Sequence, residues 1–167
     1  MTKTKIYLCG PIAGCNDSEA HDWRDWFKEQ VEDRVGDTGF GHQKGKIKGW
    51  AECLDPMRRD YRGAGLSDND EGRMPWWVVK EIVELDKIDI AQSDVLLANM
   101  LPDKSKTGSN MEIIYAWELG KLVVIVHDPK KPVSPWHRYH AQKIVATLEE
   151  ARDYIKNGNW RREKVFA

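Results

Sequence analysis

The sequence predicts an α/β fold, a five-stranded parallel sheet with helices on both faces. Two observations carry this expectation. Short β-rich runs alternate with segments of helical periodicity along most of the chain. Two of those runs, "DVLLANM" and "KLVVIVH", are apolar almost throughout. Strands covered by crossover helices on both sides read this way, because neither face meets water.

The elements follow in order. "KIYLCG" is a β-rich run closed by glycine and is the first strand. "DSEAHDWRDWFKEQVEDRV" is a helix, with Ala20, Trp23, Phe27 and Val31 at helical spacing and Asp17 or Ser18 as its cap. "AECLDP" is a second strand, stopped by Pro56. "PWWVVKEIVELDKIDIAQ" is a helix with Pro75 near its first turn. After the strand "DVLLANM" comes the helix "SNMEIIYAWELG", closed by Gly120. "KLVVIVH" and "QKIVAT" are the last two strands, and "LEEARDYIKNG" is the last helix. A flavodoxin-like strand order of 2-1-3-4-5, a three-layer sandwich, suits five such strands. In these sheets the ligand crevice lies beyond the carboxyl ends of the strands. Gly10, Pro11 and Asn99 are therefore expected at a binding site.

The 167 residues are expected to form one domain, 1–167, with a full core. Residues 36–75 stand apart, holding eight of the 13 glycines with only "AECLDP" regular, so they read as a long functional or mobile loop region. Hydrophobic residues make up 41% and charged residues 32%, a soluble globular composition, and the formal net charge is -1. That balance excludes a general nucleic-acid or membrane binder, which needs a basic excess. No apolar run approaches the ~20 residues of a membrane span. "MTKTKIYLCGP" is too short in apolar residues for a signal peptide. Cys9, Cys15 and Cys53 lack CxxC spacing and are expected as reduced thiols in a cytoplasmic protein. The histidines of "HRYH" lack zinc-site spacing, so no metal is expected. There is no phosphate-cradling P-loop, no dinucleotide fingerprint and no GxSxG elbow. Trp50, Trp76, Trp77 and Trp136 are candidates for stacking on a base, or for core and interface packing.

Two carboxylates occupy unusual places. Projection of the helix from Pro75 at ~100° per residue puts Val79, Ile82, Val83 and Ile90 on one face, with Asp86 in its middle and Asp89 at its edge. A buried carboxylate is paired or shifts its pKa. Asp86 either bonds a neighbouring loop or carries a proton near neutral pH. Glu112 also has two explanations. Ser109 to Glu112 fits the S-x-x-E capping box. Near a helix start the dipole would also keep Glu112 ionised, as a carboxylate nucleophile requires. Gly108, beside the cap, would let a ligand approach the backbone. Together the two carboxyls suit chemistry at a glycosidic carbon, one as acid and one as attacking group.

"IYLCGPIAG", "LDKIDIAQSDVLLANM" and "TGSNMEIIYAWELGKLVVIV", in this order and spacing, resemble the nucleoside 2-deoxyribosyltransferase family and its deoxynucleotide N-hydrolase relatives. The likeness covers roughly residues 4–20 and 82–135 and does not extend into 36–75. It implies a flavodoxin-like fold and cleavage of an N-glycosidic bond through a glycosyl-enzyme. It implies Glu112 as nucleophile, Asp86 as the group that handles the proton on the base, and Tyr7 as the residue that positions the glutamate. A plain sheet tyrosine is the other explanation for Tyr7. The resemblance also implies that a polar residue after the "KLVVIV" strand, here Ser134, reaches a neighbouring subunit's site; a plain turn serine is the alternative.

Departures from the family are clear. Lys106 stands where transferases often carry an acidic residue, and Asp103 is the substitute available. The first glycine loop has Pro11 and Ala13 where nucleotide hydrolases tend to have serine and arginine. Arg58, Arg59 and Arg62 are the cations that could replace those phosphate contacts, or they form a solvated basic turn.

The resulting expectation is a transferase of nucleotide salvage, moving 2-deoxyribose between nucleobases without metal or organic cofactor. Its partners are a deoxynucleoside and a free nucleobase, and its assembly is a dimer-based homo-oligomer with shared sites. The alternatives are a deoxynucleoside 5′-monophosphate N-glycosidase and a nucleotide-binding module without catalysis.

Overall fold

A computed structural model describes residues 2–37, 44–59 and 74–160, and the structural statements that follow concern these residues. Five parallel strands form the main sheet: β1 (Thr4–Cys9), β4 (Ala51–Leu54), β5 (Val95–Asn99), β6 (Leu122–Val126) and β7 (Lys143–Val145). Their spatial order is β4-β1-β5-β6-β7. Counted along the chain within this sheet, that is 2-1-3-4-5, the flavodoxin-like order the sequence suggests. Ile6 pairs with Cys53 on one side and Val95 on the other, so β1 is an interior strand between β4 and β5.

The alternation of side chains along a strand sorts the core into two layers. Ile6, Leu8, Val95, Leu97, Leu122 and Val124 face one way. They pack on Phe27 and Val31 of α1 (Asp17–Val31) and on Ala151 and Ile155 of α5 (Leu148–Asn157). Tyr7, Cys9, Leu96, Ala98, Val123 and Ile125 face the other way. They meet Ile90 of α2 (Trp76–Gln92) and Ile113 and Ala116 of α3 (Thr107–Glu118). All five residues of both β5 and β6 are buried, as their unbroken apolar runs require.

Several elements depart from the sequence expectations. The cap of α1 is Asn16, not Asp17 or Ser18, and the helix stops at Val31 rather than continuing to Val35. The lead into β4 crosses that helix end: Trp50 donates its amide to the Val31 carbonyl, and a Cβ on Gly49 would lie 2.2 Å from the Glu32 carbonyl carbon. Further helix has no room there. Instead β2 (Arg34–Asp37) pairs antiparallel with β3 (Lys44–Ile47), a charged, exposed hairpin with no apolar run to announce it. On α1 the stripe that faces the core is Ala20, Arg24, Phe27 and Val31, with Arg24 in place of Trp23.

The buried positions of α2 are Val78, Asp89 and Ile90; Val83 is exposed and Asp86 is half-buried. Asp89 is therefore deeper than Asp86, the reverse of the projection. Its burial is permitted by arginines from elsewhere in the chain, which a projection of one helix cannot count. A 3-10 turn, Pro56–Arg59, follows β4 and supplies them. A short helix, α4 (Pro135–His140), follows β6 and is too short to carry a periodic signal. Within residues 36–75 the described parts are thus the hairpin, β4 and the turn. Residues 38–43 and 60–73, with Arg62, lie outside the described residues. None of the described helices is long and apolar enough to cross a membrane.

Candidate active site

The site forms where β1 and β5 end against α2 and α3. Tyr7 points to the α2–α3 side of the sheet because it alternates with Ile6 and Leu8, and it is fully buried. Its hydroxyl donates to Glu112 Oε1 at 3.1 Å. Glu112 faces the sheet because α3 begins at Thr107, two residues before the expected start. Ser109 then lies inside the first turn and is buried, while Ser109, Ile113 and Ala116 form the face that packs inward. Glu112 sits beside Ile113 on the edge of that face. The helix cap is Lys106, and no side chain caps the helix. Ser109 and Glu112 consequently do not form a capping box.

Burial raises the Glu112 carboxyl above its usual range, opposed by hydrogen bonds from Cys9 and Tyr7 and by the charge of Arg24. Asp86 is pushed up to about 7, first by burial and then by the negative charge of Glu112, with Arg59 opposing. Tyr7 is raised well above the ordinary phenol range by burial and by the charges of Glu112 and Asp86. It stays protonated, and since an ionised carboxylate can only accept, the Tyr7 hydroxyl is the donor to ionised Glu112. Tyr7, Asp86 and Glu112 thus form one electrostatic unit. The negative charge of Glu112 disfavours ionisation of Asp86 and is the second cause of its raised pKa.

Arg24 was not singled out by the sequence. It is fully buried under the site and donates to the Leu8 carbonyl at 3.4 Å and the Gly10 carbonyl at 3.0 Å. It also pairs with Asp55 at 3.6 Å. The available signal was the spacing 20, 24, 27 and 31, an arginine inside an apolar helical stripe. Cys9, likewise unassigned, is fully buried with its thiol 3.7 Å from the Ser109 carbonyl.

The remaining expected residues are spread more widely. Gly10 and Asn99 lie at the ends of neighbouring strands. A Cβ on Gly10 would stand 2.9 Å from the Trp23 ring and 3.2 Å from the Asn99 carbonyl, so only glycine fits. Asn99 is buried and its Oδ1 accepts the Leu101 amide at 3.2 Å. The Pro11 carbonyl accepts the Cys15 thiol at 3.5 Å. Gly108 faces open space, with nothing within 4 Å of where a Cβ would be. Ser134, Asp103 and Arg58 are engaged away from the pair. Ser134 caps α4, accepting the Trp136 amide at 3.3 Å. It lines a cleft of about 330 Å³ with Asn110, Ile113, Ile114, Trp136, His137 and His140. Asp103 is exposed, 3.8 Å from Lys131 Nζ. Arg58 Nη2 contacts both oxygens of Asp89 at 2.7 Å. Among the described residues no group of three His, Cys, Asp or Glu side chains is placed to hold a metal ion.

No protein-family profile matches the chain, and no curated protein matches it. Solved structures do. A 2-deoxyribosyltransferase from the psychrotolerant bacterium Bacillus psychrosaccharolyticus, described as a biocatalyst for synthesis of antiviral and antitumoral nucleosides, superposes with a TM-score of 0.59. The two are 16% identical over 90% of this chain and 92% of that one. A conserved protein from Enterococcus faecalis V583 superposes with a TM-score of 0.60 at 18% identity, over 93% of this chain and 99% of that one. With the strand order and the two-sided core, these likenesses establish the flavodoxin-like fold that this chain shares with a 2-deoxyribosyltransferase.

Proposed function

We propose that the protein is a nucleoside 2-deoxyribosyltransferase. The observation that supports this best is the half-buried Glu112, held by the Tyr7 hydroxyl, whose charge helps to push the Asp86 carboxyl up to about 7. Protonated Asp86 donates to the base as the C1′–N bond breaks. The ionised Glu112 carboxylate attacks C1′, and the 2-deoxyribosyl group becomes an ester of Glu112. A second base then attacks C1′, its proton passes to Asp86, and Glu112 leaves as the carboxylate. Tyr7 stabilises the ionised glutamate before attack and after release. Gly10 and Asn99, at the carboxyl ends of neighbouring strands, are proposed to contact the sugar or base.

The electrostatic coupling of Asp86 and Glu112 counts against a binding module in which the two act separately. The reading also includes a cytoplasmic setting, supported by three free cysteines. A dimer-based assembly is supported by the exposed Met111, Trp136 and Tyr139 near the Ser134 cleft.

The test is incubation with a 2′-deoxynucleoside, with and without a second free base, followed by chromatography and by light scattering of the active species. A transferase makes the new deoxynucleoside quickly and free sugar slowly. Release of sugar or sugar phosphate at the same rate with or without the acceptor, with preference for the 5′-monophosphate, identifies the hydrolase instead. A fully active monomer rules out the shared site.

A further inference from the structure

Arg59 serves two carboxylates at once. Its Nη2 lies 2.6 Å from Asp89 Oδ2 and 3.3 Å from Asp86 Oδ1. Asp89 is the deeper of the two and also takes Arg58 Nη2 on both oxygens at 2.7 Å. Asp89 and Asp86 are one turn apart on α2, so a small swing of the guanidinium would exchange one for the other. The turn that carries both arginines is itself fixed. The Met57 amide donates to Asp55 Oδ1 at 2.9 Å, Met57 is buried, and Asp55 is held by Lys28 Nζ at 2.9 Å.

We propose that Asp89 is a positioning residue for Asp86, drawing Arg59 onto itself so that Asp86 keeps only a long, partial contact with the arginine. The site needs this sharing. A full charge-assisted pair with arginine lowers a carboxyl by about 1–3 pH units. Asp86 would then be ionised at neutral pH and would have no proton for a leaving base. Among the described residues, the other charged or titratable groups that face Asp86 are Glu112 from α3, Tyr7 from β1 and Asp89 on its own helix. Of these described groups Glu112 and Asp89 raise its pKa, and Arg59 is the one that lowers it. Control of the arginine is therefore control of the acid.

Asp89 could instead be a plain anchor between the turn and α2, and the two roles predict different titrations. The midpoint of Asp86 is measured by 13C NMR on aspartate carboxyl-labelled protein, its resonance identified by its loss in Asp86→Asn. In Asp89→Asn the midpoint should fall by about one pH unit or more, because Arg59 turns fully onto Asp86. In Arg59→Gln it should rise. In the Arg59→Gln background, Asp89→Asn should lower it less than in the parent, since only direct repulsion is then removed. An unchanged or raised midpoint in Asp89→Asn overturns the proposal, as does equal lowering in both backgrounds. Should Asp89→Asn fail to fold, Asp89→Glu, which keeps the charge but shifts the contact with Arg59, takes its place, and an unchanged midpoint there or in Arg59→Gln is also fatal. The importance of the effect rests on Asp86 as the proton carrier, but the titration does not depend on activity. If the midpoints move as stated and the pH dependence of base release ignores them, Asp89 still controls Asp86, and the functional role of Asp86 is what falls.

Discussion

Two glutamates follow a cap-forming residue by three positions, and they end in opposite environments. In Asn16–Glu19, the Asn16 side chain accepts the Glu19 amide at 2.8 Å, and Glu19 Oε2 accepts the Asn16 amide at 2.9 Å. Both are on the surface, and this backbone hydrogen bond lowers the Glu19 pKa. In Ser109–Glu112 the same spacing closes no such ring. The helix starts at Thr107, Ser109 is buried in its first turn, and Glu112 turns towards Tyr7 with its pKa raised by burial. The difference lies in register. A capping box forms only if the helix begins directly after its first residue, and packing against the sheet sets where α3 begins. A carboxylate released from capping and pressed against a buried tyrosine is free to do chemistry.

The strongest way to break this contrast is to remove each carboxylate and assay transfer. Glu112→Ala should lose roughly 10⁴-fold or more in turnover, as expected for a missing nucleophile. Glu19→Ala should keep near-parental turnover, because its carboxylate only closes a surface cap. Comparable losses in the two variants would mean that Glu112 is a structural residue like Glu19.

Next in size is Asp86, where the comparison gains a pH axis. Asp86→Asn should lose roughly 10²–10⁴-fold in base release, the usual range for a general acid. In the parent, kcat/KM for base release should fall above about pH 7, where Asp86 loses its proton. No such limb should remain in Asp86→Asn. A parental profile flat from pH 6 to 9 would remove Asp86 from the proton-transfer role.

Much of this arrangement was legible in the sequence, for physical reasons. The apolar runs of β5 and β6 read as strands covered on both faces, and the order 2-1-3-4-5 suited five such strands although no single run dictates it. Asp86 stood out because a carboxylate on an apolar helical face demands an explanation. Glu112 remained ambiguous, since its local motif fits a cap as well as a nucleophile. The register of α3 sets the capping box aside, and the partner that Glu112 takes instead, Tyr7, lies 105 residues away in sequence. Arg24 and Asp89 were missed or ranked too low for the same reason. Each is buried because of partners elsewhere in the chain: the Leu8 and Gly10 carbonyls for Arg24, and Arg58 and Arg59 for Asp89. The hairpin of β2 and β3 left no signal because it buries little and alternates charges with glycine.

The smallest effects test the contrast through stability alone. Asn16→Ala removes a working cap and should cost about 1 kcal/mol. In a chain of this length that is roughly 2–4 °C in Tm. The loss should vary little between pH 6 and 8, where Glu19 stays ionised. Glu112→Gln should act in the opposite direction and should depend on pH. The pKa of Glu112 is higher in the folded state than in the unfolded chain, so the native protein holds that proton more tightly. Ionising it in place therefore opposes folding. That penalty is absent below the unfolded pKa of about 4.3 and grows as pH rises through the folded value. Glu112→Gln keeps an oxygen for the Tyr7 hydroxyl and removes the charge. It should leave Tm nearly unchanged at pH 4 and raise it progressively towards pH 8. Scanning calorimetry of both variants across this range checks the signs. A Glu112→Gln variant destabilised like Asn16→Ala, by the same amount at every pH, would show that Glu112 contributes to the fold as a cap does, and the contrast between the two helix starts would collapse.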